Sequence, residues 1–182
     1  MEYYRFEVRL LDVKPPPWRQ FLIRKAAMFE RLHMAIQDAC GWTNTHLYAF
    51  HATDDGPVIA GIPDDAYSSP DPDAKRVKLS SFFTPGGPAR CFYHYDFGDD
   101  WWHEVVLHGH VTMPDKFTRH LMGGARAFPP EDCGGSSGYE NCCKATQHED
   151  DGLDDPDGLR QWLGRWKPET FDLKKLQADF DR

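Results

Sequence analysis

The sequence predicts an α+β fold: a mostly antiparallel sheet in a single domain over 1–182, with a helix after the first two strands and short helices at the C-terminal end. Three observations predict it. Residues 3–13 alternate, with Tyr4, Phe6, Val8 and Leu10 on one side and Arg5, Glu7 and Arg9 on the other, the period of a half-buried strand. Residues 28–40 change to a helical stripe of Phe29, Leu32, Ile36 and Ala39. Two aromatic-rich runs, 90–97 and 101–111, flank Gly98-Asp99-Asp100, the turn chemistry of a hairpin. Strands first and helices last is an α+β order.

The elements follow in turn. Pro15-Pro16-Pro17 ends the first strand, because proline has no ladder donor. Trp18 to Arg24 reads as the second strand. Gly41 stops the helix in the left-handed conformation, and 46–52 reads as the third strand. Residues 53–75 are rich in Asp, Pro, Gly and Ser and read as an exposed loop with a short strand at 58–60; 77–83 adds another short element. The glycines and prolines of 119–138 argue against a regular element there. Short helices are expected at 139–147, 156–166 and 173–180, which makes the part from about 139 helical.

Composition limits function. The 182 residues are 40% hydrophobic and 14% aromatic, enough for a packed core. No apolar run approaches the roughly 20 residues of a membrane span, and MEYYRFEVRL lacks an export signal's apolar stretch; a cytoplasmic protein without a membrane partner is expected. The net charge of −8 disfavours nucleic acid as a partner. Only residues 1–34 lean basic, seven Lys/Arg against four Asp/Glu, and Arg5, Arg9, Arg19 and Arg24 are where a phosphate would be met. Five cysteines without C-x-x-C spacing read as free thiols in a reducing compartment.

Two catalytic patterns match by letter alone. Gly134-Gly135-Ser136-Ser137-Gly138 fits G-x-S-x-G, but no apolar strand delivers the serine. His103 and His108 are five apart in a strand-like run, so they cannot form the zinc pair of a helix. His108 and His110 are expected on one strand face, with His94 across the hairpin, as solvent-facing histidines.

A denser cluster is Tyr95-Asp96-Phe97-Gly98-Asp99-Asp100-Trp101-Trp102-His103, where carboxylates sit among rings that desolvate them. A second acid pair, Glu131-Asp132, lies in the glycine-rich stretch. If the two stretches meet, Asp96, Asp99, His103, Glu131 and Asp132 line an acidic cleft walled by Trp42, His46 and Trp102. Such a cleft suits a hard divalent cation or a basic ligand. His33 reads as a core-edge histidine, and Trp42 as packing back on its helix.

Trp18-Arg19, Leu32-His33, Ile36-Gln37, Gly41-Trp42, His46-Leu47 and Phe50, then Tyr95-Asp96-Phe97-Gly98-Asp99, Trp102-His103, Pro129-Pro130-Glu131-Asp132, Gly134-Gly135 and Gly138-Tyr139, occur in the order of the plasmid pRiA4b ORF-3-like family. The chain resembles that family from about residue 3 to 180. The resemblance implies a compact α+β domain found in bacteria, archaea and mobile elements, where some members are described as passenger proteins of transposable elements. It implies no reaction. Trp101 adds a ring to the aromatic block, and His120 and Phe128 stand where relatives often carry cysteine, which disfavours a thiolate metal site.

Together these readings favour a binding module whose cleft takes a cationic protein segment, a basic small ligand or a metal ion. The alternative is a metal-dependent hydrolase or nuclease, with Asp96, Asp99 and Glu131 on the metal and His103 as general base.

Overall fold

Alternation of large apolar and polar side chains puts one face of each strand into a shared core. In the computed structural model, which describes residues 1–63 and 71–181, seven strands form one sheet in the order β4-β3-β5-β6-β1-β2-β7. They are β1 (Glu2–Leu10), β2 (Trp18–Arg24), β3 (Tyr48–His51), β4 (Val58–Gly61), β5 (Arg90–Tyr95), β6 (Trp101–Thr112) and β7 (Arg119–Ala125). Every neighbouring pair is antiparallel. The described residues also form helices α1 (Phe29–Cys40), α2 (Leu79–Phe82), α3 (Gly135–Gln147), α4 (Pro156–Leu163) and α5 (Leu173–Phe180). The chain is α+β, as its periodicities predict.

Register explains the core. Phe6 pairs with Phe21 and Tyr4 with Ile23, and all four are buried. The α1 stripe of Phe29, Leu32, Ile36 and Ala39 joins them, with Phe29 edge-on to Phe50 at 5.0 Å. Gly41, at φ 81°, ends α1 and donates its N–H to the Gln37 carbonyl. Asp155 and Asp172 cap α4 and α5 by accepting the Gly158 and Lys175 amides, the usual satisfaction of first-turn donors.

The 119–138 stretch corrects the expectation of irregular chain. Its first part is β7, paired to β2 through Gly124 and Gly123. A Cβ on Gly124 would lie 2.6 Å from the Trp18 carbonyl oxygen and 2.8 Å from Arg19 Cδ. Gly124 serves close packing there, so glycine content misled. Helix α3 likewise starts at Gly135 rather than 139, and Ser136 and Ser137 lie in its first turn. The 77–83 element is the short helix α2, and part of the predicted 53–75 loop lies outside the described residues.

Histidine placement also departs from the sequence reading. A register shift beside Gly109 (φ 132°) interrupts β6 opposite Arg5 and Phe6. His108 then meets Glu7 at 3.4 Å, whereas His110 lies opposite Tyr4 with its ring 5.0 Å from the tyrosine's. The two histidines therefore do not share a face. Arg19 is not part of a basic surface either. It is 2% exposed, because Val8 opposite it turns the position toward the core.

Candidate functional site: a carboxylate–imidazole cluster

Three loops converge at one end of β5. The first, between α1 and β3, is fixed from below by a directed hydrogen-bond chain. Gln37 Nε2 donates to the Tyr93 hydroxyl (3.0 Å), which assigns the Tyr93 proton to His33 Nδ1 (2.7 Å). That leaves His33 Nε2–H for Asn44 Oδ1 (2.7 Å), and the Asn44 amide returns to Gln37 Oε1 (3.0 Å). Burial lowers His33 to about 4, so it is neutral near pH 7. Asn44 takes φ 56°, a conformation asparagine tolerates.

The second loop follows Tyr95. Asp96, at φ 54°, turns its Oδ1 back to accept the Gly98 amide at 3.1 Å and the Asp99 amide at 3.3 Å. Its own amide reaches the Leu47 carbonyl at 3.0 Å. Oδ2 is left to face His46 Nε2 at 3.6 Å.

The third is the Pro129-Pro130-Glu131-Asp132 turn. Trp42 Nε1 donates to the Pro129 carbonyl at 2.9 Å, and the Trp42 ring stacks on Tyr95 with centroids 5.0 Å apart. Glu131 accepts from Thr43 N (2.8 Å), Thr43 Oγ1 (2.5 Å), Thr45 Oγ1 (3.2 Å) and the Tyr95 hydroxyl. Burial raises its pKa, but these donors outweigh burial and hold it below the ordinary carboxylate value. Tyr95 is pushed the other way, by burial and then by Glu131. Asp132 Oδ1 meets His46 Nε2 at 2.8 Å. The hairpin loop also touches the turn directly, since Gly134 N donates to Asp99 Oδ2 at 3.0 Å.

The acids therefore meet an imidazole, but it is His46, in the loop before β3, not His103. One ligand atom each from His46, Asp96 and Asp132 lies within 4.8 Å of the others. Beside this triad Glu131 has both carboxylate oxygens engaged and Asp99 Oδ2 accepts the Gly134 amide, while Trp42 stacks on Tyr95, whose ring also meets that of His46. His103 is fully buried on the core face of β6, opposite Tyr93. Its Nδ1 bonds the Tyr93 carbonyl at 3.2 Å, and burial lowers it to about 3.

Trp102 points to the opposite face of the sheet. There it stacks on His94 at 4.2 Å and donates to Asp100. Strand alternation sends neighbours to opposite faces, so neither Trp102 nor the buried His103 reaches the cluster. Thr43, Thr45 and Tyr95 were missed as partners of Glu131. Their signal is a run of hydroxyls in Thr43-Asn44-Thr45 just after the helix stop. A groove of about 600 Å³ opens beside His46, lined in part by Glu30, Met34, Leu47, Ile62 and Asp73.

This antiparallel α+β sheet is a fold seen before. The plasmid pRiA4b ORF-3-like family matches residues 2–175, and the chain belongs to it. The uncharacterized protein y4hQ of Sinorhizobium fredii is 37% identical over 143 residues, which cover 78% of this chain and 71% of the relative. The crystal structure of a protein of unknown function, MM3350 from Methanosarcina mazei Go1, superposes with a TM-score of 0.80 at 30% identity over 96% of this chain and 97% of that one.

Proposed function

We propose that the chain is a binding module whose His46–Asp96–Asp132 cluster holds a divalent cation. One observation carries the reading: three donor atoms from three separate loops lie within 4.8 Å of one another. One imidazole and two carboxylates suit Zn²⁺ or Mn²⁺ better than Ca²⁺, which prefers an all-oxygen shell. Asp96 is 8% exposed and its Oδ1 already accepts two amides, so its free oxygen is preorganised. The test is a thermal-shift series with Zn²⁺, Mn²⁺, Mg²⁺ and Ca²⁺, because a ligand of the folded state alone raises the midpoint. A rise with Zn²⁺ or Mn²⁺ that Asp96→Asn removes supports the reading. No rise with any cation overturns it and leaves a cationic peptide or basic small molecule as the occupant to test.

The hydrolase or nuclease reading keeps one observation in its favour. Three protein ligands leave coordination positions open, as catalytic metal sites do. Its proposed base, His103, is sealed in the core, which favours binding over catalysis. We also read the chain as one cytoplasmic folding unit carried on mobile DNA. The five free cysteines and the plasmid of the family's description support this.

A further inference from the structure

The groove of about 600 Å³ beside His46 has the size of a small-ligand site. Its walls come from Glu30 and Met34 on α1, Leu47 and Tyr48 where β3 begins, Ile62 just after β4, and Asp73 farther along. The Glu30 amide donates to the Ala74 carbonyl at 3.0 Å, so the backbone itself sets Glu30 beside Asp73. Part of the wall is apolar and open: Leu47 is 55% exposed and Ile62 45%. Two large apolar side chains left open in one concavity mark a binding surface, where scattered ones would not.

The polar groups of the groove are mostly acceptors. Glu30 is half-buried and has no cation as partner among the described residues. Asp73 spends Oδ1 on the Lys75 amide at 2.9 Å. Its Oδ2 faces Arg76 at 3.6 Å, a side chain 88% exposed, and such surface pairs are weak. Tyr48 is 6% exposed and lies flat against His33, with ring centroids 3.5 Å apart; its hydroxyl makes no hydrogen bond among the described residues. Against the two carboxylates the lining carries one ammonium, on the exposed Lys75.

We propose that this groove binds a basic segment of a partner protein. Glu30, Asp73 and the Tyr48 hydroxyl hold an arginine or lysine side chain, and an apolar neighbour in the segment covers Leu47 and Ile62. The proposal rests on the binding-module reading and not on the cation, although His46 belongs to both places. Charge complementarity supports it, since a cation entering the groove gains the carboxylate partner that Glu30 lacks. The apolar pair favours a peptide over a free amine, which would leave Leu47 and Ile62 in water.

The experiment follows the amide resonances of the full chain while acetyl-Leu-Arg-Leu-amide is added, with chelator present so that no metal ion contributes. Saturable shifts at Leu47, Tyr48 and Ile62 are expected. Glu30→Gln weakens them at least about tenfold, the loss of a charge-assisted hydrogen bond, and acetyl-Leu-Gln-Leu-amide gives none. Agmatine, a guanidinium on a bare stem, binds at least about tenfold more weakly than the peptide, for want of the apolar cover. No saturable shift in the wild type, equal binding of the glutamine peptide, or an unchanged affinity in Glu30→Gln overturns the proposal. Agmatine binding as tightly as the peptide overturns the protein partner. The glutamine peptide tests charge on the wild type, so a fold defect in Glu30→Gln leaves the test standing. Failure here does not touch the Zn²⁺ and Mn²⁺ measurements, and failure of those leaves a result obtained in chelator intact.

Discussion

The Tyr95 hydroxyl donates to a Glu131 carboxylate oxygen, which joins the last residue of β5 to the turn that carries Asp132. Thr43 and Thr45 donate to the same carboxylate. One side chain thus holds all three loops of the cluster in register, and Asp132 stays within reach of His46.

Glu131→Gln is expected to cost about 1–2 kcal/mol, the loss of charge-assisted bonds at a partly exposed site; urea denaturation measures it. The pH dependence has a definite sign. Because the folded-state pKa lies below the ordinary value, the carboxylate's contribution is complete above the unfolded pKa of about 4.3. It is lost as pH falls through the lower folded value. The gap between wild type and Glu131→Gln therefore closes below about pH 4.

His33 and His103 carry the opposite chemistry to the same outcome. Burial lowers them to about 4 and about 3, so between those values and an unfolded pKa of about 6.5 the unfolded chain binds more protons. Stability is full above pH 6.5 and declines with acid at up to about 1.4 kcal/mol per pH unit for each histidine. His103→Leu is expected to flatten the profile between pH 6.5 and 4, read by chemical denaturation at each pH. An unchanged slope contradicts the buried, neutral assignment.

Arg19 is a buried cation held by carbonyls. Its Nε donates to Ala39 O (2.9 Å) and its Nη1 to Trp18 O (2.8 Å) and Ala125 O (3.0 Å), with Phe128 and Phe171 on its faces at 4.9 and 4.8 Å. It ties the C-terminal end of α1 to β2 and β7. Arg19→Met leaves three carbonyls without this donor and is expected to cost about 2–4 kcal/mol in urea. Arg19→Lys recovers only part, because an ammonium lacks the planar fork.

Gly138→Ala drives a methyl into the Cys133 carbonyl. The turn must then lift off α3, with an expected loss of about 1–3 kcal/mol as in other overpacked sites. Calorimetry reads the lowered midpoint. A variant as stable as the wild type would show that the turn does not rest on the helix.

Much of the sheet was legible because its signals are local. Strand β2 falls at Trp18–Arg24, where the sequence places it, and helix α5 likewise falls at the expected Leu173–Phe180. Strand β7 was not, because Gly124 answers to the tight approach of β2 and Phe171, a tertiary demand that composition hides. At the cluster, Asp96, Glu131, Asp132 and His46 are visible as polar residues among rings and glycines. Which imidazole joins them depends on strand parity and on where β3 begins. His103 sits one residue out of phase with Trp102, and no local pattern says which face is covered.

Isothermal titration of Zn²⁺ and Mn²⁺ into wild type, His46→Ala and Asp96→Asn tests the central claim most directly. The account predicts one site per chain for one of these cations, weakened at least about tenfold by either substitution, a loss of about 1.4 kcal/mol. Equal binding by all three proteins, or no binding heat from either cation in the wild type, would contradict it.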